Sequence, residues 1–242
     1  MKDYLVRAKN LRSLIYEVMD GDAGGEVLQL GRLLPNEQMP AVERLTLTCY
    51  SWFHTPREVK DSWDFRNLNF LDIRGIYLFK FLSSIVFEHF ANLRVLRTGD
   101  LCWGKKENEE EREKGTVLLA SFLQGLRNLE ELYLTGRTYD LLGFDIFQNM
   151  KKLMKLEYRE RALFRGRYPL SDLKNPKPRF RIERLKLLKD WCPVLEELKI
   201  DFDLPRADVC LPSSSVPSLK ISRMLTKNSF QLILIRWLHF LA

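Results

Sequence analysis

Leu126-Arg127-Asn128-Leu129-Glu130-Glu131-Leu132-Tyr133-Leu134-Thr135-Gly136 is the stretch on which the reading of this chain turns. Its Leu129, Leu132 and Leu134 stand at relative positions 1, 4 and 6. Side chains alternate along a strand, so positions 4 and 6 share one face, and position 1 joins them from the preceding bend. Glu131, Tyr133 and Thr135 then fall on the opposite face. A short strand with one apolar face cannot bury it alone, so the chain has to supply neighbours of the same kind.

Seven further sets repeat the spacing: Leu11, Leu14, Tyr16; Val42, Leu45, Leu47; Leu68, Leu71, Ile73; Leu93, Leu96, Thr98; Leu153, Leu156, Tyr158; Leu195, Leu198, Ile200; and Val216, Leu219, Ile221. In a chain that is 45% apolar such triples also arise by chance, so the residue in front carries the weight. Asn10, Asn67, Asn92 and Asn128 each directly precede position 1, which puts four of the ten asparagines at equivalent points. Pro40 and Pro193 lie two residues before position 1 in two other sets. Asn and Pro shape turns, as a helix-to-strand corner requires. The pattern is that of leucine-rich repeats, which in regular form recur about every 20 to 29 residues. The steps here are unequal, widest from Leu93 to Leu129 and from Leu153 to Leu195. The expected fold is α/β: an irregular right-handed leucine-rich-repeat solenoid, with a parallel inner sheet and outer helices, over residues 1–222. An apolar tail or cap follows over 223–242.

Between the strands, residues 27–34 read as a short helix stopped by Pro35, and residues 51–64 as a loop with aromatic cover from Trp52, Phe53 and Trp63. Leu78, Phe81, Leu82, Ile85 and Val86 have helical spacing. Lys105 to Lys114 is a charged run read as a solvated insertion, with Thr116 the expected N-cap of the helix after it. Further helices are expected over residues 140–150 and 182–191, the second with Leu185, Leu188 and Trp191 inward, and irregular segments over 160–181 and 204–215. The apolar stretch from Phe230 to Ala242 carries Arg236 and His239 and is shorter than the ~20 residues a membrane span needs, so either a capping helix over the last repeat or a non-native tail is expected there.

Trp191-Cys192-Pro193-Val194-Leu195-Glu196-Glu197-Leu198-Lys199-Ile200, with Leu170-Ser171-Asp172-Leu173 before it and Trp63-Asp64-Phe65-Arg66-Asn67-Leu68 earlier, resembles the repeat region of F-box proteins, above all those of filamentous fungi. The resemblance covers roughly residues 8–222. It implies a substrate-recognition module whose relatives dock on a Skp1-type adaptor of a cullin ubiquitin ligase through an F-box. Leu34-Pro35-Asn36-Glu37 matches the tetrapeptide that opens an F-box, but Pro40 and the strand from Val42 stand where its helices should run. An adaptor is therefore expected only if an F-box lies outside this chain. The repeat family's Asn or Cys three residues after position 6 is also missing, replaced by Tyr50, Ile76, Leu101, Arg137 or Arg161. Backbone carbonyls at the turns must find other partners.

Cys49, Cys102, Cys192 and Cys210 form no Cys-x-x-Cys pair, no Asn-x-Ser/Thr acceptor occurs, and the first residues have no apolar signal core. A reducing compartment, cytoplasmic or nuclear, is the expectation. His54, His89 and His239 are far apart without ligand-spaced partners, and no nucleophile elbow or phosphate-binding glycine loop is present. No enzyme, metal or cofactor is expected.

What remains is surface. Positions 3, 5 and 7 of each strand should form a continuous concave face for a protein partner, with Phe70, Asp72, Arg74, Arg97, Glu131, Tyr133, Lys155 and Arg159 its candidate contacts. A second reading rests on charge: residues 151–190 hold fourteen Lys/Arg and five Asp/Glu, a net +9 against +7 for the whole chain. That block could meet nucleic acid or an acidic surface, although nucleic acid is not the expected partner. A third reading is a truncated remnant without independent function.

Overall fold

A computed structural model of the chain describes residues 8, 10–17, 38–48, 50, 52–99, 109–135, 142–159, 182–202, 221–226 and 229–235. Seven of the expected sets become parallel strands: β1 (Ser13–Glu17), β2 (Arg44–Thr48), β3 (Phe70–Arg74), β4 (Val95–Gly99), β5 (Glu131–Thr135), β6 (Lys155–Arg159) and β7 (Glu197–Phe202). Each pairs with its neighbour in chain order. The register aligns Leu14, Leu45, Leu71, Leu96, Leu132, Leu156 and Leu198 in one row. From Leu45 onward no member of that row is more than 1% exposed.

Backbone bonding repeats from strand to strand. The carbonyls of Arg12, Glu43, Asn69, Arg94, Glu130 and Met154 each accept two N–H groups from the start of the next strand. At the bend before each strand, the amides of Leu11, Leu68, Leu93, Leu129, Leu153 and Leu195 donate to the carbonyl three residues back. That bend supplies a fourth core position: Phe65, Phe90, Leu126, Met150 and Cys192 are all buried there. The asparagines in front of position 1 tie successive entry bends together. Asn92 Nδ2 donates to the Arg66 carbonyl and Asn128 Nδ2 to the Ala91 carbonyl, both at 2.9 Å, so each spans to the preceding turn. In the next turn Lys152 takes the same place, its Nζ 2.7 Å from Asn128 Oδ1.

The helices lie on the leucine side of the sheet. Residues 51–64 are not a loop throughout, because Pro56–Ser62 forms α1. Thr55 and Glu58 make a reciprocal capping box and Pro56 opens the first turn, so a helix too short to show periodicity is set by its cap. Then α2 spans Leu78–Ser84, and the expected helical run stops there: Ile85 and Val86 are extended, and a 3-10 turn over Phe87–Phe90 delivers Phe90 to the core. The chain reaches α2 through Gly75, whose φ of 73° suits a residue without a side chain.

The helix placed after Thr116 begins earlier, as α3 (Glu109–Gly125), so the end of the charged run is helical and Thr116 is a buried interior residue. Acidic residues favour a helix start, and Lys114 bonds Glu110 one turn back at 2.6 Å. Gly115 lets α3 approach α2, since a Cβ there would lie 3.3 Å from Phe79 Cβ. Of the helix expected over 140–150, the described part is a 3-10 turn, Phe144–Phe147, that buries Ile146 and Phe147. The helix expected at 182–191 stands as α4 (Ile182–Trp191), with Leu188 fully buried and Trp191 packed against the core. Rings run through this layer in contact from Tyr16 and Tyr50 through Trp52, Trp63, Phe65 and Phe90 to Phe122.

The end of the chain departs from expectation. Ile221 opens not an eighth parallel ribbon but β8 (Ile221–Thr226), antiparallel to β9 (Ser229–Ile235), and β9 in turn lies antiparallel to β7. Two residues join β8 to β9, too few for the crossover that a parallel pair demands. The boundary expected at 222 thus falls inside a strand, and over 229–235 the expected capping helix is a strand covering the edge of β7. The short helix expected at 27–34, residues 160–181 and 204–215, and position 219 lie outside the described residues.

Candidate partner-binding face

On the side of the sheet away from the leucines, the register makes two rows. One runs Ser13, Arg44, Phe70, Val95, Glu131, Lys155, Glu197, and the other Ile15, Thr46, Asp72, Arg97, Tyr133, Glu157, Lys199. Phe70, Asp72, Arg74, Arg97, Glu131, Tyr133 and Lys155 therefore do share one surface, and Arg159 continues it by pairing with Thr135. The side chain of Arg159 lies outside the described residues.

Charge on this face is mostly spent internally. Asp72, only 2% exposed, receives Arg74 through Nε at 2.8 Å and a second nitrogen at 2.7 Å, the two-pronged geometry that offsets burial of a carboxylate. Glu131 accepts from Lys155 Nζ at 2.9 Å and from the Tyr133 hydroxyl at 2.7 Å. Burial alone would raise the Glu131 carboxyl, but those two hydrogen bonds, with the charges of Lys155 and Arg97, hold it below its ordinary value. Burial and donation to Glu131 push the Tyr133 hydroxyl up. Lys199 lies between Glu197 and Glu157.

Two cations are different. The Arg44 guanidinium sits 4.1 Å from the Phe70 ring centre, and that of Arg97 sits 5.3 Å from Phe70 and 4.6 Å from Tyr133. Neither side chain has a hydrogen bond or ion pair among the described residues, and Arg97 Nε is buried without a partner. Four consecutive strands thus present Arg44, Phe70, Arg97 and Tyr133 as a connected set of cations and rings. Phe70 is only 8% exposed, with both guanidiniums against its ring. Sequence reading left Arg44 out of the candidate set. Its signal was its repeat position, the same as that of Phe70 one strand on.

No family model, curated protein or solved structure matches this chain. His54 is buried, 2.8 Å from the Tyr50 hydroxyl and edge-on to Trp52. Trp52 Nε1 donates to Ser84 Oγ, which donates to the Phe81 carbonyl. A polar groove of about 150 Å³ between Asn92, Arg94, Asn128, Glu130 and Lys152 is lined by the turn ladder itself. Among the described residues no His, Cys, Asp and Glu group could hold a metal, and no helix is long and apolar enough to cross a membrane. Most of the basic block at 151–190 lies outside the described residues; within it, Lys151 bonds the Asp190 carbonyl.

Proposed function

We propose that this chain is a non-enzymatic protein-binding module, a leucine-rich-repeat solenoid whose concave face takes a partner. The observation that carries the reading is the Arg44, Phe70, Arg97 and Tyr133 set, where aromatic and Arg side chains, the commonest interface anchors, meet on an open sheet face. The in-register leucine row and the repeated carbonyl ladder support the solenoid, since stacked units touch only their neighbours. The resemblance to F-box repeats makes the partner a ubiquitin-ligase substrate in a cytoplasmic or nuclear setting, with a Skp1-type adaptor engaged only through an F-box outside this chain.

The test is a photo-crosslinking residue in place of Tyr133 and, separately, of Val117 on the helix side, which is 66% exposed. Covalent adducts of discrete mass from position 133 and not from 117 are expected in cells. Equal adducts at both, or none at 133, would remove the surface from consideration.

A further inference from the structure

We propose that the arginine and aromatic set on β2 to β5 takes the carboxylates of an acidic segment in the partner. This rests on reading that face as the partner-binding surface, and adds the partner's chemistry. Every other cation with a described side chain on this face of β2 to β7 has an acid: Arg74 has Asp72, Lys155 has Glu131, and Lys199 has Glu157 and Glu197. Among the described residues Arg44 and Arg97 have no acid within ion-pair distance. Both guanidiniums approach the same Phe70 ring, so two like charges are held near each other, with the Glu131 charge acting on Arg97 only from beyond ion-pair distance. The rings fix the guanidinium planes in advance, which lowers the ordering cost of binding. A guanidinium has five donors and no acceptor, and the partner it lacks is an anion with paired oxygens.

The rest of the face selects the kind of anion. Glu131, Glu157 and Glu197 lie on β5 to β7 beside the set. An anionic segment is therefore received at Arg44 and Arg97 and repelled farther along the rows, which favours a short acidic peptide over a long phosphate backbone. Discrete Asp or Glu side chains can reach Arg44 and Arg97 and avoid those glutamates. The two guanidinium carbons lie 4.1 and 5.3 Å from one ring centre, which keeps them within roughly 9 Å of each other. That spacing suits acidic residues one to two helical turns apart, at about 1.5 Å per residue.

The experiment measures binding of a fluorescent ten-residue oligoglutamate to the full chain at low ionic strength, beside oligolysine and single-stranded oligothymidine. Binding of oligoglutamate alone is expected. Arg97→Ala and Arg44→Ala should each weaken it about tenfold or more, while Arg57→Ala, on exposed α1, changes it less than twofold. Arg97→Gln and Arg44→Gln, checked by thermal melting, serve if an alanine variant does not fold. Equal losses with Arg57→Ala, absence of oligoglutamate binding, or tighter arginine-dependent binding of oligothymidine would each overturn the proposal. If oligoglutamate fails while the crosslinker at position 133 still gives discrete adducts, only the acidic chemistry falls. If both fail, the surface falls with it.

Discussion

Leu132 has no exposed surface and stands mid-row between Leu96 and Leu156, so its truncation leaves a hole that neighbours on both sides would have to fill. Leu132→Ala is expected to cost about 2–5 kcal/mol in urea unfolding, whereas Val117→Ala, at a site 66% exposed, should stay within about 0.5 kcal/mol. Similar costs at both positions would contradict the assignment of the core face. Glu131 makes a second prediction at this scale. Its folded value lies below the ordinary one, so its pairing with Lys155 and Tyr133 adds stability that is complete above the ordinary carboxylate range. That stability is lost as the pH falls through the depressed value. Glu131→Gln should be less stable than the parent at pH 7, by a margin that narrows as the pH falls below the ordinary carboxylate range; a difference that does not narrow in acid would show that the charge is not the cause. Single residues were legible where repetition marked them. The asparagines before position 1 were visible as turn formers, but their bonds to carbonyls of the preceding turn depend on how closely successive turns stack.

Short elements depend on their ends. With seven residues, α1 is below the length at which helices persist alone, so its cap and its packing through Val59 decide whether it forms. Thr55→Ala should lower stability by about 1 kcal/mol and speed amide exchange of Glu58, whose N–H the Thr55 hydroxyl accepts at 3.2 Å. Unchanged exchange would place the helix's support entirely in the core. The strands were readable because a period of two with apolar residues on one side admits one register. The connecting segments were not. The residues around Phe90 and Phe147 carry helix-like apolar spacing, yet they form 3-10 turns, because the distance back to the next strand leaves room for one bend and one buried ring. The fourth core position, from Phe65 to Cys192, went unread because its residue type changes from Phe to Leu, Met and Cys while its depth stays constant.

Across the described residues, each parallel strand up to β6 bonds only to its neighbours in chain order, and β7 bonds to β6 and β9. Local opening of such a stack should start at its ends. Native-state hydrogen exchange is expected to be slowest in β3 to β5 and fastest in β1 and β8, and uniform protection would contradict nearest-neighbour coupling. The leucine spacing, with Asn or Pro before it in six of seven cases, determined by itself the positions of seven strands, the face each buries, and the surface that carries Arg97 and Tyr133, because alternation on a strand follows from covalent geometry. Only the tertiary structure decided that β9 turns back against β7, and that Arg44 and Arg97 share Phe70 with no ion pair among the described residues while Arg74 and Lys155 each hold one. Those outcomes depend on which strand lies beside which and at what distance, and no local rule of sequence contains that information.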